Sequence, residues 1–67
     1  MLQEIYYFNG SEIWKNTKAT WLYYNLYADE PRWSLWNIKL LGDPKIISNS
    51  NFKEISKEEV DKLISGL

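Results

Sequence analysis

The sequence contains no cysteine and no histidine. Without them the chain has no disulfide, no thiolate nucleophile, no Cys/His zinc site and no histidine-based catalytic dyad or triad. Its three glycines, Gly10, Gly42 and Gly66, are isolated from one another, so no glycine-rich phosphate loop is present. These absences exclude most of the common catalytic constellations.

Neither sign of charge dominates, and no apolar run is long enough to span a bilayer. The chain has eight Lys and Arg and nine Asp and Glu, whereas nucleic-acid-binding domains usually carry clustered positive charge. The only candidate basic stretch is residues 31–53, with four cations against one carboxylate, and we interpret it as a solvated surface. Residues 1–4 lack the basic and apolar regions of a signal peptide, so a cytoplasmic location is expected.

Aromatic residues are abundant, with four Trp, five Tyr and two Phe among 67 residues. A chain of this length predicts a single domain, residues 1–67, whose small core has no covalent or metal cross-link. Each aromatic side chain buries about 150–250 Å² on folding, so a structural role accounts for many of them. The question is whether one small core holds them all.

The first half of the chain predicts strands. Residues 2–8 are rich in β-formers and lead into Asn9 and Gly10, a pair typical of the type I′ hairpin turn, with a short returning strand at 11–14. The polar residues 15–18 indicate a turn, and residues 19–27 predict a third strand. A helix over 17–28 is the competing interpretation. Its apolar residues would lie around most of the helix circumference, which fits poorly with a small domain.

The second half predicts two more strands and one helix. After a turn at 28–31, residues 32–41 read as a long strand, which the break at 42–44 ends. Residues 45–48 predict a short edge strand, and 49–51 a loop. At the C-terminus, Ser56 and Glu59 form a capping box, while Val60, Leu63, Ile64 and Leu67 fall on one helical stripe. With Gly66 as the C-terminal cap, a helix over 57–65 is predicted.

The predicted fold class is therefore α+β: a small twisted antiparallel sheet of four to five strands with one C-terminal helix packed on one face. Alternate residues of a strand point to opposite faces, and both faces of the third and fourth strands are apolar. One three-turn helix covers only one face. We assign to the helix side the more aliphatic set, Leu22, Tyr24, Leu26, Trp36, Ile38 and Leu40.

The other face then holds the candidate partner-binding residues: Trp21, Tyr23, Tyr27, Trp33, Leu35, Asn25 and Lys39. Aromatic rings mixed with amides and a cation are typical of interface hot spots. Three interpretations stay open for this face: a protein interface, with itself or with another protein; a second core closed by curvature of the sheet; or a stacking surface for nucleobases or sugars.

No catalytic, metal or cofactor site is predicted. The carboxylates Asp29 and Glu30 belong to a turn, and those of residues 58–61 favour the start of a helix. The sequence thus predicts a protein that is not an enzyme: an inhibitor, adaptor or regulator that binds a protein partner, for instance a larger host enzyme, or forms a homodimer. A phage or mobile-element inhibitor is one example, on size and composition alone.

The alternative function is binding of single-stranded nucleic acid or carbohydrate. Trp33 and Tyr23 would stack on the ligand, with Arg32 and Lys39 holding phosphates. The net charge of −1 makes a nucleic-acid partner the less favoured of the two functions.

Overall fold

The fold is an open antiparallel sheet with a helix on one face. The computed structural model describes residues 4–18 and 20–66. Its five strands lie in the spatial order β4-β3-β2-β1-β5, so the last strand along the chain pairs with the first. The strands are β1 (Glu4–Phe8), β2 (Glu12–Thr17), β3 (Thr20–Asn25), β4 (Ser34–Leu35) and β5 (Lys53–Ile55). Two helices complete the chain, α1 (Ile38–Leu41) and α2 (Lys57–Ser65). The predicted α+β class is confirmed.

The first hairpin is confirmed, but its turn differs from the predicted one. The backbone N–H of Asn9 donates to the carbonyl of Glu12, so Gly10 and Ser11 are the two central residues. Gly10 has φ +104° and Ser11 is not in the left-handed region, which fits a type II′ turn rather than type I′. The Asn9 side-chain oxygen accepts the backbone N–H groups of Ser11 and Glu12 at 3.0 and 2.7 Å.

The turn of the second hairpin lies later in the chain than the sequence predicted. β2 runs on to Thr17, through the polar residues assigned to a turn, because they pair with β3 in register from Glu12–Asn25 to Thr17–Thr20. The turn begins at Lys18, whose φ is +56°. β3 confirms most of the strand predicted over 19–27, but it ends at Asn25, and Leu26 and Tyr27 form a turn. Ala19 lies outside the described residues, as do Leu2 at the start of the first predicted strand and Leu67 of the helical stripe.

The predicted long strand over 32–41 is wrong. Only Ser34 and Leu35 pair with β3, and α1 begins three residues later. Asn37 is the cause: its side-chain oxygen accepts the backbone N–H of Leu40 at 3.1 Å and so caps a helical turn. The fifth strand is also misplaced, since residues 46–48 form a turn and β5 is the polar segment Lys53–Ile55, which pairs with β1.

Helix α2 has the predicted bounds. The Glu59 backbone N–H donates to the Ser56 hydroxyl at 3.2 Å, and Gly66 takes the left-handed conformation that ends the helix. Val60 is buried, with Leu63 and Ile64 packed beside it against the sheet. In this helix-side core, the buried residues are Tyr6, Ile13 and Val60.

A second core lies on the opposite face of the sheet. Its buried residues are Trp14, Trp21 and Ile46, with Tyr7, Tyr23, Trp36 and Phe52 packed around them. The covering residues come from the irregular segment between β4 and β5. The face predicted to be open is therefore closed, as the second-core interpretation proposed, but a loop covers it instead of curvature of the sheet.

Candidate interaction surface

Two of the predicted partner-binding residues belong to the second core. Trp21 is 8% exposed and packs against Tyr7 and Trp14. Tyr23 is half-buried and stacks on Trp14, with ring centroids 5.1 Å apart and an interplanar angle of 27°. The faces of these rings are occupied within the molecule, so Trp21 and Tyr23 act first as structural residues.

Trp33 lies on the helix side, and its placement on the other face is corrected. Its ring packs against Tyr6 and Tyr24, with the ammonium of Lys15 4.9 Å from the ring centroid. Trp36 shows the reverse error, because it was assigned to the helix side and packs against Trp14 in the second core. A shift of one residue in register exchanges the two faces of a strand. Because β4 pairs Leu35 with Leu22, Leu35 also lies on the helix side of the sheet and not on the face to which it was assigned.

Asn25 and Tyr27 lie together at the end of β3. The Asn25 side-chain oxygen accepts the backbone N–H of Tyr27 at 3.0 Å, which makes Asn25 a turn residue. The Tyr27 side chain is exposed and borders an apolar groove that Leu63 and Ile64 of α2 also line. Asn25 is the last residue of β3, two positions after Tyr23, whereas Tyr27 lies beyond the strand in the turn.

Leu35 and Lys39 are the two predicted site residues that the fold brings together at the surface. Both line a groove of about 280 Å³, together with Thr20, Trp36, Asn37 and Ile38. Leu35 lies in the edge strand and is 66% exposed, while Lys39 is the second residue of α1. This groove is the place where an edge of the sheet meets the short helix.

Exposed aliphatic residues are concentrated around this groove. Among the described residues, six large hydrophobic side chains are exposed, and all but Tyr27 lie between positions 35 and 47. Four belong to β4 and α1, and we call them the β4–α1 surface: Leu35, Ile38, Leu40 and Leu41. Leu40 is 80% exposed, and α1 contributes no buried residue. A concentration of this kind marks interaction sites in soluble proteins.

The short helix is held in place by its two ends and by one tryptophan. Asn37 caps the start, and the Gly42 N–H donates to the Ile38 carbonyl at 2.9 Å at the end. The Trp36 ring is anchored in the second core, and its Nε1 donates to the Gly42 carbonyl at 2.8 Å. A single helical turn is unstable alone in water, so these contacts fix the aliphatic side chains of α1 on the surface.

The edge strand also presents its backbone. The Trp36 N–H donates to the Trp21 carbonyl at 2.9 Å, and hydrogen-bonded and non-hydrogen-bonded pairs alternate along an antiparallel ladder. The Leu22–Leu35 pair is therefore a non-hydrogen-bonded one. The backbone N–H and carbonyl of Leu35 consequently point away from β3, beside an exposed leucine side chain.

Sequence reasoning missed α1 as part of the surface. It placed Ile38 and Leu40 under the helix and treated Leu41 as the end of a strand. A signal was present: an asparagine before four good helix-compatible residues, followed by glycine, is the pattern of a capped helical turn. The apolar residues Trp36, Ile38 and Leu40 alternate with a period of two, which is typical of a strand, and this pattern led to the strand prediction.

The described residues hold one ion pair and one strongly perturbed pKa, both on the helix side. The Tyr6 hydroxyl donates to Glu4 Oε1 at 2.8 Å, and Lys15 Nζ lies 3.7 Å from Glu4 Oε2. The Tyr6 hydrogen bond and the Lys15 charge lower the pKa of Glu4. Burial of the phenol, followed by the hydrogen bond to Glu4, raises the pKa of Tyr6 to about 12. This cluster ties β1 to β2.

The Tyr6 phenol gives a test of this geometry. Because its pKa is higher in the folded chain than the ordinary 10.0, protonated Tyr6 stabilises the fold below pH 10, and this contribution falls as the pH rises through 12. We expect a phenolate absorbance titration to show one late transition that Tyr6→Phe removes. Tyr27→Phe, at an exposed position, should leave that transition in place; its loss there would contradict the assignment.

Comparison with known proteins gives no relative: no protein-family model, curated protein or solved structure matches the chain. Within residues 4–18 and 20–66, no group of three acidic side chains lies close enough to hold a metal ion. No helix in the same ranges has the length and apolar character needed to cross a bilayer.

Proposed function

We propose that this chain is a non-enzymatic interaction module that binds another protein through the β4–α1 surface. The observation that carries the proposal is the exposure of all four aliphatic residues of that surface, three of which lie on a helix that contributes no buried residue. Apolar side chains that a fold leaves in water are stabilised when a partner covers them, at about 25 cal/mol per Å² of buried apolar area.

The alternative of base or sugar stacking has less support. Stacking needs ring faces that are open to the ligand. Tyr23 stacks on Trp14, and Trp33 packs between Tyr6 and Tyr24. The two rings named for stacking thus already contact other rings of the same molecule, whereas the exposed residues near Lys39 are aliphatic. A concentration of exposed apolar side chains without open ring faces favours contact with a protein over stacking on a base or sugar.

The test compares bait variants in a lysate of the organism that encodes the chain. The wild-type chain is expected to retain a specific protein, and Leu40→Ser/Leu41→Ser is expected to lose at least nine-tenths of it, roughly the effect of about 1.4 kcal/mol or more of binding free energy. Quantitative mass spectrometry measures the recovery, and far-UV circular dichroism confirms that each bait is folded.

The matched control is Tyr27→Ser/Ile47→Ser, which also replaces two exposed apolar residues outside the β4–α1 surface. We expect this variant to recover the partner at the wild-type level. Equal recovery by the Leu40→Ser/Leu41→Ser bait, or equal loss with the control, would show that the β4–α1 surface is not the binding site.

A further inference from the structure

We infer that the partner presents to the β4–α1 surface an acidic apolar segment, in which aliphatic side chains are flanked by carboxylates. This inference rests on the proposed function and adds the chemistry of the partner. It follows from the charge of the segment that contains the surface and from the geometry of the groove. Two other occupants, a second copy of the chain and an anionic lipid surface, fit this site less well.

The segment of the chain that contains the surface carries net positive charge, and Lys39 lines the groove itself. Within the described residues the single ion pair joins Lys15 and Glu4, so Arg32, Lys39 and Lys45 form no salt bridge there. Asp43 is the one carboxylate in residues 31–53, and its Oδ1 accepts the backbone N–H of Lys45 at 2.8 Å within a turn. Residues 1–30 and 54–67 each carry more carboxylates than cations, so the positive charge is local to this part of the chain.

The groove brings the two kinds of contact together. Leu35 and Ile38 supply its apolar lining, and Lys39 lies on the same lining. Beside it, the outward-pointing backbone groups of Leu35 offer one donor and one acceptor to an extended segment. An aliphatic side chain in the groove with a carboxylate next to it satisfies both the apolar and the charged part of this site.

A second copy of the chain is a poorer occupant. A two-fold symmetric contact brings the same patch of both subunits together. The same positively charged segment would then be present on both sides of the contact, and like charges across an interface oppose association. An unlike partner that carries carboxylates avoids this repulsion.

An anionic lipid surface is also a poorer occupant of this site than an acidic protein segment. Recruitment to such membranes is associated with clusters of about four to eight Lys or Arg, each contributing about 1 kcal/mol. Residues 31–53 carry four cations and one carboxylate, and one of those cations, Lys53, lies at the opposite edge of the sheet in β5. The apolar part is one helical turn, much shorter than the amphipathic helices that lie in membrane interfaces.

The experiment uses two synthetic peptides that differ only in charge: one alternates leucine pairs with glutamates, and the other replaces every glutamate with lysine. Fluorescence anisotropy measures binding to the wild-type chain at low salt. We expect the acidic peptide to bind at least about tenfold more tightly than the basic one and to weaken as salt is added. Lys39→Glu/Lys45→Glu is expected to reverse the preference.

The control Lys57→Glu/Lys62→Glu makes the same change of net charge on α2 and should keep the wild-type preference. Equal binding of both peptides, with loss of both in Leu40→Ser/Leu41→Ser, would overturn the charge preference and leave the proposed function standing. Binding that survives Leu40→Ser/Leu41→Ser would overturn both.

Two further measurements cover the other occupants. We expect analytical ultracentrifugation to give a monomer, and no binding to vesicles of phosphatidylcholine with phosphatidylserine. A dimer that Leu40→Ser/Leu41→Ser dissociates would replace the acidic partner with a second copy. Vesicle binding that depends on the same residues, in a chain that binds neither peptide, would replace it with a membrane.

Discussion

Trp21→Ala is expected to abolish cooperative folding at room temperature. Trp21 contacts Tyr7 and Trp14 and is buried in the core on the face opposite α2. Removing a buried tryptophan costs about 3–5 kcal/mol, and a domain of this size without cross-links has a total stability of about 3–5 kcal/mol. Urea titration followed by far-UV circular dichroism measures the loss.

Two further substitutions make this test discriminating. Trp21→Phe keeps part of the apolar contact and is expected to retain a folded state with a lower urea midpoint. Tyr27→Ala removes an exposed ring and should change the free energy of unfolding by less than about 0.5 kcal/mol. A Trp21→Ala chain as stable as the wild type would mean that this face of the sheet is open, as the sequence first suggested.

Ile13→Ala is expected to have the second large effect. Ile13 belongs to β2, has no exposed surface and lies in the same buried cluster as Val60 of α2. Loss of three carbon atoms at a fully buried site costs about 2–5 kcal/mol, because the cavity closes only in part. We expect the urea midpoint to fall steeply, with the helical signal lost in the same transition as the strand signal.

Ile47→Ala is the matched control, since it makes the same chemical change at an exposed position. Its midpoint should stay close to that of the wild type. Separate transitions for helix and strands in Ile13→Ala would show that α2 is stable without the sheet, which would contradict a single cooperative core on this side.

The features that the sequence predicts well depend on neighbouring residues. The capping box at Ser56, the apolar stripe from Val60 and the terminal Gly66 fix α2, because each acts within a few residues. The hairpin at Asn9 and Gly10 is local as well. Its turn type was wrong because Asn9 uses its side chain to hold the turn, so that Gly10 alone takes a positive φ.

The features that the sequence predicts poorly depend on distant contacts. Trp33 and Trp36 exchange faces because the register of β4 is determined by pairing with Leu22 across the preceding turn, which the sequence of the strand does not encode. β5 was missed because Lys53 and Glu54 look like loop residues, and their pairing with β1 joins opposite ends of the chain.

The candidate site was predicted only in part for the same reason. Leu35 and Lys39 were named, but as members of an aromatic face that the loop carrying Ile46 and Phe52 covers. The sequence argument compared the number of apolar residues with the sheet area that one helix can cover. It did not consider that an irregular segment could cover the other face. The excess apolar surface is present, but it is aliphatic and lies at an edge of the sheet.

The pairing of β5 with β1 also determines when the chain becomes able to fold. The β1–β2–β3 meander contains only short-range contacts and can pair as soon as Asn25 has been made. Ile13 and Trp21, however, gain their contacts with Val60 and Ile46 only after the second half of the chain has been made. Until then both faces of the nascent meander expose apolar side chains, and exposed apolar surface on a partly synthesised chain favours aggregation.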